Sequence, residues 1–261
     1  MECIFCNGPA SSRRAKEHII PSWALEEFQI RQDMVTPTHF SESGEIVSER
    51  LHNMDSFLAG RVCSECNGGW MARLETENKP LIIELARGRR DILDLSDEEA
   101  ESVARWGFKT AVCLHAAANW RKIVPESHYA HLGTCEPGLP AGVRVVGKTT
   151  SLGNEFSWVQ STSWWIHQDV REISNEEIQR LKTSAYKICV QLLGLIFLVA
   201  YNPLEGARDV LWKYTHVPLW PRRGPVSWLT WDRVLPSEHL SALVAYHHTF
   251  GLAPQADRWD R

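Results

Sequence analysis

Apolar residues recur along this chain at two different spacings, and the spacing changes near its middle. From about Glu65 to Arg87, Met71, Leu74, Leu81, Ile82 and Leu85 return at roughly helical intervals. That pattern predicts a helix, bent or restarted at Pro80 and stopped at Gly88. Asn67 and Asn78 fall on the same stripe as Met71 and Leu74, and an inward asparagine needs polar partners. Ser96 with Glu99 forms a capping box that opens a second helix, running to about Trp120. Ser174 with Glu177 opens a third, to about Lys182. Shorter helical segments are predicted over 22–31, 125–132 and 236–247.

Strand signals come from Ala15 to Ile20, near Val143 and Val145, from Phe156 to His167, and from Val210 to Val217. The stretch from Ile188 to Tyr201 is ambiguous by period. Its β-branched and aromatic content favours strands, with Gly194 as a bulge or bend. Met34 to Leu51 reads as a loose hairpin turning at Ser43-Gly44. The element order predicts an α+β protein. Asp91 to Asp97 marks a boundary between a domain over 1–90 and a second over 91–261, which places a helix first and then mostly antiparallel strands.

Composition narrows the class. The chain has 261 residues, 44% hydrophobic and 23% charged, as in ordinary globular proteins. No apolar run reaches the ~18 residues of a membrane span. A cysteine pair beginning at position 3 leaves no room for a signal peptide, so a cytoplasmic protein with no membrane partner is expected. Net charge is −4, with 11 basic against 13 acidic residues up to Arg90 and 17 against 19 beyond it. No global field therefore attracts nucleic acid. Phosphate contacts would need local clusters, such as Arg13, Arg14 and Lys16, or Arg87, Arg89 and Arg90.

The candidate chemistry lies near the N-terminus. Cys3 and Cys6 form one Cys-x-x-Cys pair, and Cys63 and Cys66 form another, followed at once by Asn67. Four thiolates in two such knuckles close a tetrahedral structural zinc site. A redox dithiol would need a thioredoxin-like strand and helix around it, which these pairs lack. Cys113, Cys135 and Cys189 read as packing residues. Between the pairs sits Glu17-His18-Ile19-Ile20-Pro21. Neighbouring side chains on a regular strand face opposite sides. For Glu17 and His18 to serve one site, the strand must bend or bulge, and Pro21 makes room for that.

Cys3-x-x-Cys6, then Glu17-His18-Ile19-x-Pro21, then Cys63-x-x-Cys66-Asn67 resembles the HNH branch of the His-Me finger (ββα-metal) endonucleases, in its zinc-stapled form. The resemblance covers about the first third of the chain. It implies a zinc-bound ββα-metal domain, with residues 22–60 as an insertion folding outward between the halves of the motif. It further implies that His18 is the general base. Glu17 binds a divalent metal, Mg²⁺ or Mn²⁺, while Asn67 holds that metal or orients His18. Asn78 is the candidate for the family's third helical position, with Glu75 second. A buried structural link where Pro80 breaks the helix explains Asn78 equally well. The implied substrate is nucleic acid, DNA foremost, with Arg13, Arg14 and Lys16 as phosphate contacts.

The resemblance extends to roles in DNA processing or defence, and the second domain would supply substrate choice, homodimerisation or regulation. Two other readings stay open. One is a catalytically silent zinc module that binds nucleic acid or protein. The other is an interaction protein whose tryptophan-rich second half binds a small ligand and gates the first.

Overall fold

The computed structural model describes residues 2–10, 17–40, 45–118, 122–150, 156–161, 165–166, 174–204, 208–212, 217–222, 227–229 and 251–253. It is a mixed α+β protein with helices and mostly antiparallel sheets. Two compact units divide the chain. The first takes in Met1–Lys79, Val112–Lys122 and Glu126–Glu136, and the second takes the remainder.

The first unit opens on a tight turn. Cys3 N–H donates to Gly8 O at 2.8 Å, Asn7 N–H donates to Cys3 O at 3.0 Å, and Asn7 adopts φ 56°. Strand β1 (Glu17–His18) pairs antiparallel with β6 (Leu58–Ala59), Glu17 opposite Ala59 and His18 opposite Leu58. Helix α1 (Ser22–Glu27) lies between them in sequence and stops short of the Arg31 expected from the pattern. The stop is a Schellman turn: Gln29 takes φ 59°, Ile30 N–H reaches Leu25 O at 3.1 Å, and Gln29 N–H reaches Glu26 O at 3.1 Å.

The rest of the insertion is ribbon. Strand β2 (Met34–Val35) pairs with β5 (His52–Asn53), and β3 (Thr38–Phe40) pairs with β4 (Ile46–Glu49). Every residue of β4 is exposed. The expected turn at Ser43-Gly44 lies outside the described residues.

The helix expected from Glu65 is not continuous. A short α2 (Ser64–Cys66) passes into a wide turn over Asn67–Met71, kinked at Gly69 (φ −96°, ψ −107°), before α3 (Ala72–Ala86) begins. Adjacent glycines resist helix through backbone entropy, and hydrophobic spacing does not register that. Pro80 lies within α3 without ending it. The helix closes at Gly88, which adopts φ 65° while Arg89 N–H reaches Glu84 O at 2.8 Å.

Helix α4 (Asp97–Ala117) has the expected capping box, with Ser96 N–H to Glu99 Oε2 at 2.9 Å and Glu99 N–H to Ser96 Oγ at 3.2 Å. Its C-terminal carbonyls are gathered by Lys122 Nζ, which donates to His115 O, Ala116 O and Ala118 O. Helix α5 (Glu126–Thr134) follows.

The second unit is built on a five-stranded antiparallel sheet. It contains β7 (Val143–Thr149), β8 (Phe156–Ser161), β10 (Tyr186–Leu192), β11 (Leu195–Tyr201) and β13 (Val217–Trp220), in the order β13-β7-β11-β10-β8. Strands β10 and β11 pair without a break from Tyr186–Tyr201 to Leu192–Leu195. Gly194 is therefore a turn residue of a tight hairpin and not a bulge within a strand. A Cβ at Gly194 would meet Thr150 O at 2.7 Å and Ala86 O at 2.9 Å, so only glycine fits.

Val146, Cys189, Ile196, Leu198 and Ala200 form a buried cluster on this sheet. Phe197 faces the other way and meets Trp106 edge-on at 5.8 Å. Helix α6 (Asn175–Ser184) carries the second capping box, on Ser174 and Glu177. A second sheet joins β14 (Ser227–Leu229), β12 (Arg208–Trp212), β15 (Gly251–Ala253) and β9 (Trp165–Ile166), and two of its three pairings are parallel. The expected strand over 156–167 is thus shared between two sheets. The helix expected over 236–247 lies outside the described residues. No described helix is long and apolar enough to cross a membrane.

Candidate metal centre and histidine cluster

The two cysteine pairs converge. The Sγ atoms of Cys3, Cys6, Cys63 and Cys66 all lie within 4.8 Å of one another, with Cys6 and Cys63 at 3.6 Å. A metal–sulfur bond of about 2.3 Å places tetrahedral sulfurs roughly 3.8 Å apart, so the cluster could hold a metal ion such as zinc. Backbone donors support the sulfurs. Cys63 N–H points at Cys3 Sγ (3.4 Å), Cys66 N–H at Cys63 Sγ (3.3 Å) and Gly8 N–H at Cys6 Sγ (3.4 Å). Burial alone would raise the Cys3 thiol. The N–H groups of Phe5, Cys63 and Cys6 outweigh it and bring the thiol down to about 7. Burial pushes the Cys66 thiol up, and the neighbouring Cys63 and Cys6 sulfurs add to that. A bound cation would reverse this rise by favouring the thiolate.

Packing holds the knuckles in register. Ile4 N–H donates to Arg61 O at 2.9 Å, fastening the first pair to the segment that leads into the second. Trp70 is buried, as expected of a core residue, and meets Phe5 edge-on at 5.2 Å. Phe5 in turn meets Tyr129 of α5 at 5.9 Å. Edge-to-face pairs of this kind add about 1 kcal/mol each to the burial of the rings.

Glu17 and His18 stand side by side on β1. Their pairing with β6 is regular, and the backbone bends only afterwards, at Ile19–Ile20. Glu17 is accordingly buried, while the His18 side chain is 24% exposed. Asn67 is half-buried and begins the wide turn after Cys66. Its side-chain amide makes no hydrogen bond among the described residues. Asn78 is buried. Its Nδ2 donates to Leu74 O at 2.9 Å within its own helix, and its Oδ1 has no partner among the described residues. Arg13, Arg14 and Lys16 lie outside the described residues.

The imidazole has neighbours that hydrophobic spacing did not single out. Ser22 Oγ lies 3.2 Å from His18 Nδ1, and Asp55 Oδ1 lies 3.6 Å from Nε2. Arg31 binds both flanks. Its Nη1 donates to Asp55 Oδ1, and its Nη2 donates to Glu26 Oε1 at 2.9 Å and to Ser22 O at 3.4 Å. These ion pairs are partly solvated, so each contributes under about 1 kcal/mol to stability, and their value is geometric. Ser22, Arg31 and Asp55 belong to the insertion, at distances along the chain that no periodic pattern connects. Comparisons with family models, with curated proteins and with solved structures find no match for this chain.

Proposed function

We propose that the chain is a metal-dependent endonuclease of the HNH type, hydrolysing phosphodiester bonds of nucleic acid, with DNA the foremost substrate. One observation carries the reading. The cysteine cluster brackets a two-stranded ribbon bearing Glu17 and His18, and that ribbon's second strand runs directly into Cys63, Cys66 and Asn67. In this reading zinc occupies the four sulfurs and sets the ribbon against the helix start.

His18 takes a proton from water, a task suited to an imidazole near neutral pH. Glu17 and Asn67 offer oxygen donors, the set preferred by a hard cation such as Mg²⁺ or Mn²⁺. When bound, such a cation offsets the charge developing on the phosphate and on the leaving oxygen. Arg13, Arg14 and Lys16, just upstream of β1, provide phosphate contacts. Asn78 keeps both readings, since its Nδ2 donates to its own helix while its Oδ1 has no partner among the described residues.

The alternative is a catalytically silent, zinc-stapled binding module. The regular pairing of β1 favours it, since such pairing sends the Glu17 and His18 side chains to opposite faces.

Incubation of the purified chain with plasmid and oligonucleotide DNA in Mg²⁺ or Mn²⁺ separates the two readings. The nuclease cleaves, and His18→Ala lowers the rate by about 10²–10⁴-fold, the usual contribution of a general base. Equal inactivity of both proteins on duplex, branched and single-stranded DNA, and on RNA, would leave the silent module standing.

A further inference from the structure

The two ring nitrogens of His18 face chemically different neighbours. Nε2 faces a carboxylate oxygen of Asp55, and Nδ1 faces the hydroxyl of Ser22. An ionised carboxylate only accepts, whereas a hydroxyl both donates and accepts. A neutral imidazole has a single N–H to place. Placed on Nε2, it points at Asp55, and the Nδ1 lone pair receives the Ser22 hydroxyl. Placed on Nδ1, it would set an Nε2 lone pair against a negative oxygen.

Asp55 is itself held in place. Its backbone N–H donates to Asn53 Oδ1 at 2.8 Å, and Arg31 grips its carboxylate while also reaching the Ser22 carbonyl. One guanidinium thus fixes both flanks of the ring. We infer that Asp55 is the positioning residue for His18: its carboxylate, pinned by Arg31, keeps the ring proton on Nε2 and leaves Nδ1 as the nitrogen that accepts a proton.

Asp55 touches neither substrate nor metal in this scheme and acts through the imidazole. The insertion between the two halves of the motif thereby acquires a role, since its two ends supply Ser22 and Asp55. The inference deepens the nuclease reading and rests on it for its consequence in catalysis, but not for the tautomer itself.

The test uses the full zinc-loaded chain, labelled with ¹⁵N-histidine. Spectra are recorded near pH 9, and the His18 signals are assigned by their loss in His18→Gln. The wild type should show Nε2 protonated and Nδ1 bare. The Nε2 proton should exchange with water at least about 10-fold more slowly than in Asp55→Ala. Asp55→Asn preserves volume and guards against a folding artefact, and it should lose the same protection.

In cleavage assays, Asp55→Ala should lower kcat by about 10²-fold while KM stays within about threefold. A wild-type ring protonated on Nδ1 would overturn the inference. So would tautomer and exchange rates unchanged in both Asp55 variants. If the wild type cleaves nothing, the nuclease reading fails, and the ring-proton result still judges the role of Asp55.

Discussion

The two compact units are held together by different means. In the first, the backbone pairings that frame the histidine are two residues long, β1 against β6 and β2 against β5. Such ribbons are marginal alone in water. Around them lie a cluster of four sulfurs spanning residues 3 to 66, which could hold a metal ion, and Phe5 packed against Trp70 and Tyr129. In the second, β7, β10 and β11 are each seven residues long and pair over their full length, with nearly every side chain of the hairpin buried. The lesson is that a site on minimal secondary structure depends on side chains gathered from distant positions, here four cysteines that could share a metal ion, whereas a sheet holds itself by area.

The largest expected effect tests that difference directly. Removal of the metal by a strong chelator should unfold the first unit and leave the second intact. Structural zinc contributes on the order of 10 kcal/mol in small domains. Hydrogen exchange should show loss of protection over 3–70 with β10 and β11 unchanged. Simultaneous loss in both regions would break the comparison. Phe197→Ala should act in the opposite region, removing the partner of Trp106 and costing about 3–5 kcal/mol in urea unfolding, with zinc content unaffected.

Two buried bases sharpen the contrast by pH. Burial holds the His128 imidazole of the first unit down to about 4, with His131 adding to that. The unfolded chain, with an ordinary value near 6.5, therefore takes up the proton first as pH falls. Stability from this ring is complete above about 6.5 and is lost toward pH 4, on the order of 3 kcal/mol. The slope should flatten in His128→Phe. Burial likewise holds the Lys187 ammonium of the second unit down to about 7. Its penalty is absent above about 10.5 and grows as pH falls to 7. Lys187→Met should therefore be the more stable protein at neutral pH, with the difference closing toward pH 10.5. Denaturant titrations across pH measure both. Smallest of all, Ser96→Ala and Ser174→Ala should each cost about 1 kcal/mol through the lost caps, and neither should alter metal content.

Chemistry with fixed spacing was legible in the sequence. Both capping boxes form and Gly88 ends its helix because each is a local rule written in a few adjacent residues, and the two Cys-x-x-Cys pairs converge because two such knuckles together offer the four ligands of one tetrahedral site. Features set by backbone entropy or by distant neighbours were not. The break at Gly69 hides inside a good helical period, and Gly194 reads as a bulge until Ala86 and Thr150 crowd it. Asp55 gave no signal at all. It reaches His18 only because β1 and β6 pair across the insertion, and pairing partners that far apart are not encoded by period.

Helix α5 lies close against the first knuckle. A Cβ at Gly133 would fall 2.2 Å from the carbonyl oxygen of Phe5. This has a consequence for synthesis. During translation, the opening residues cannot reach their final packing until more than half the chain has left the ribosome. Until then Phe5 stays uncovered by Tyr129. A recombinant fragment cut near residue 90 would keep all four cysteines of the cluster and yet emerge sticky, as a product for inclusion bodies and not for assay.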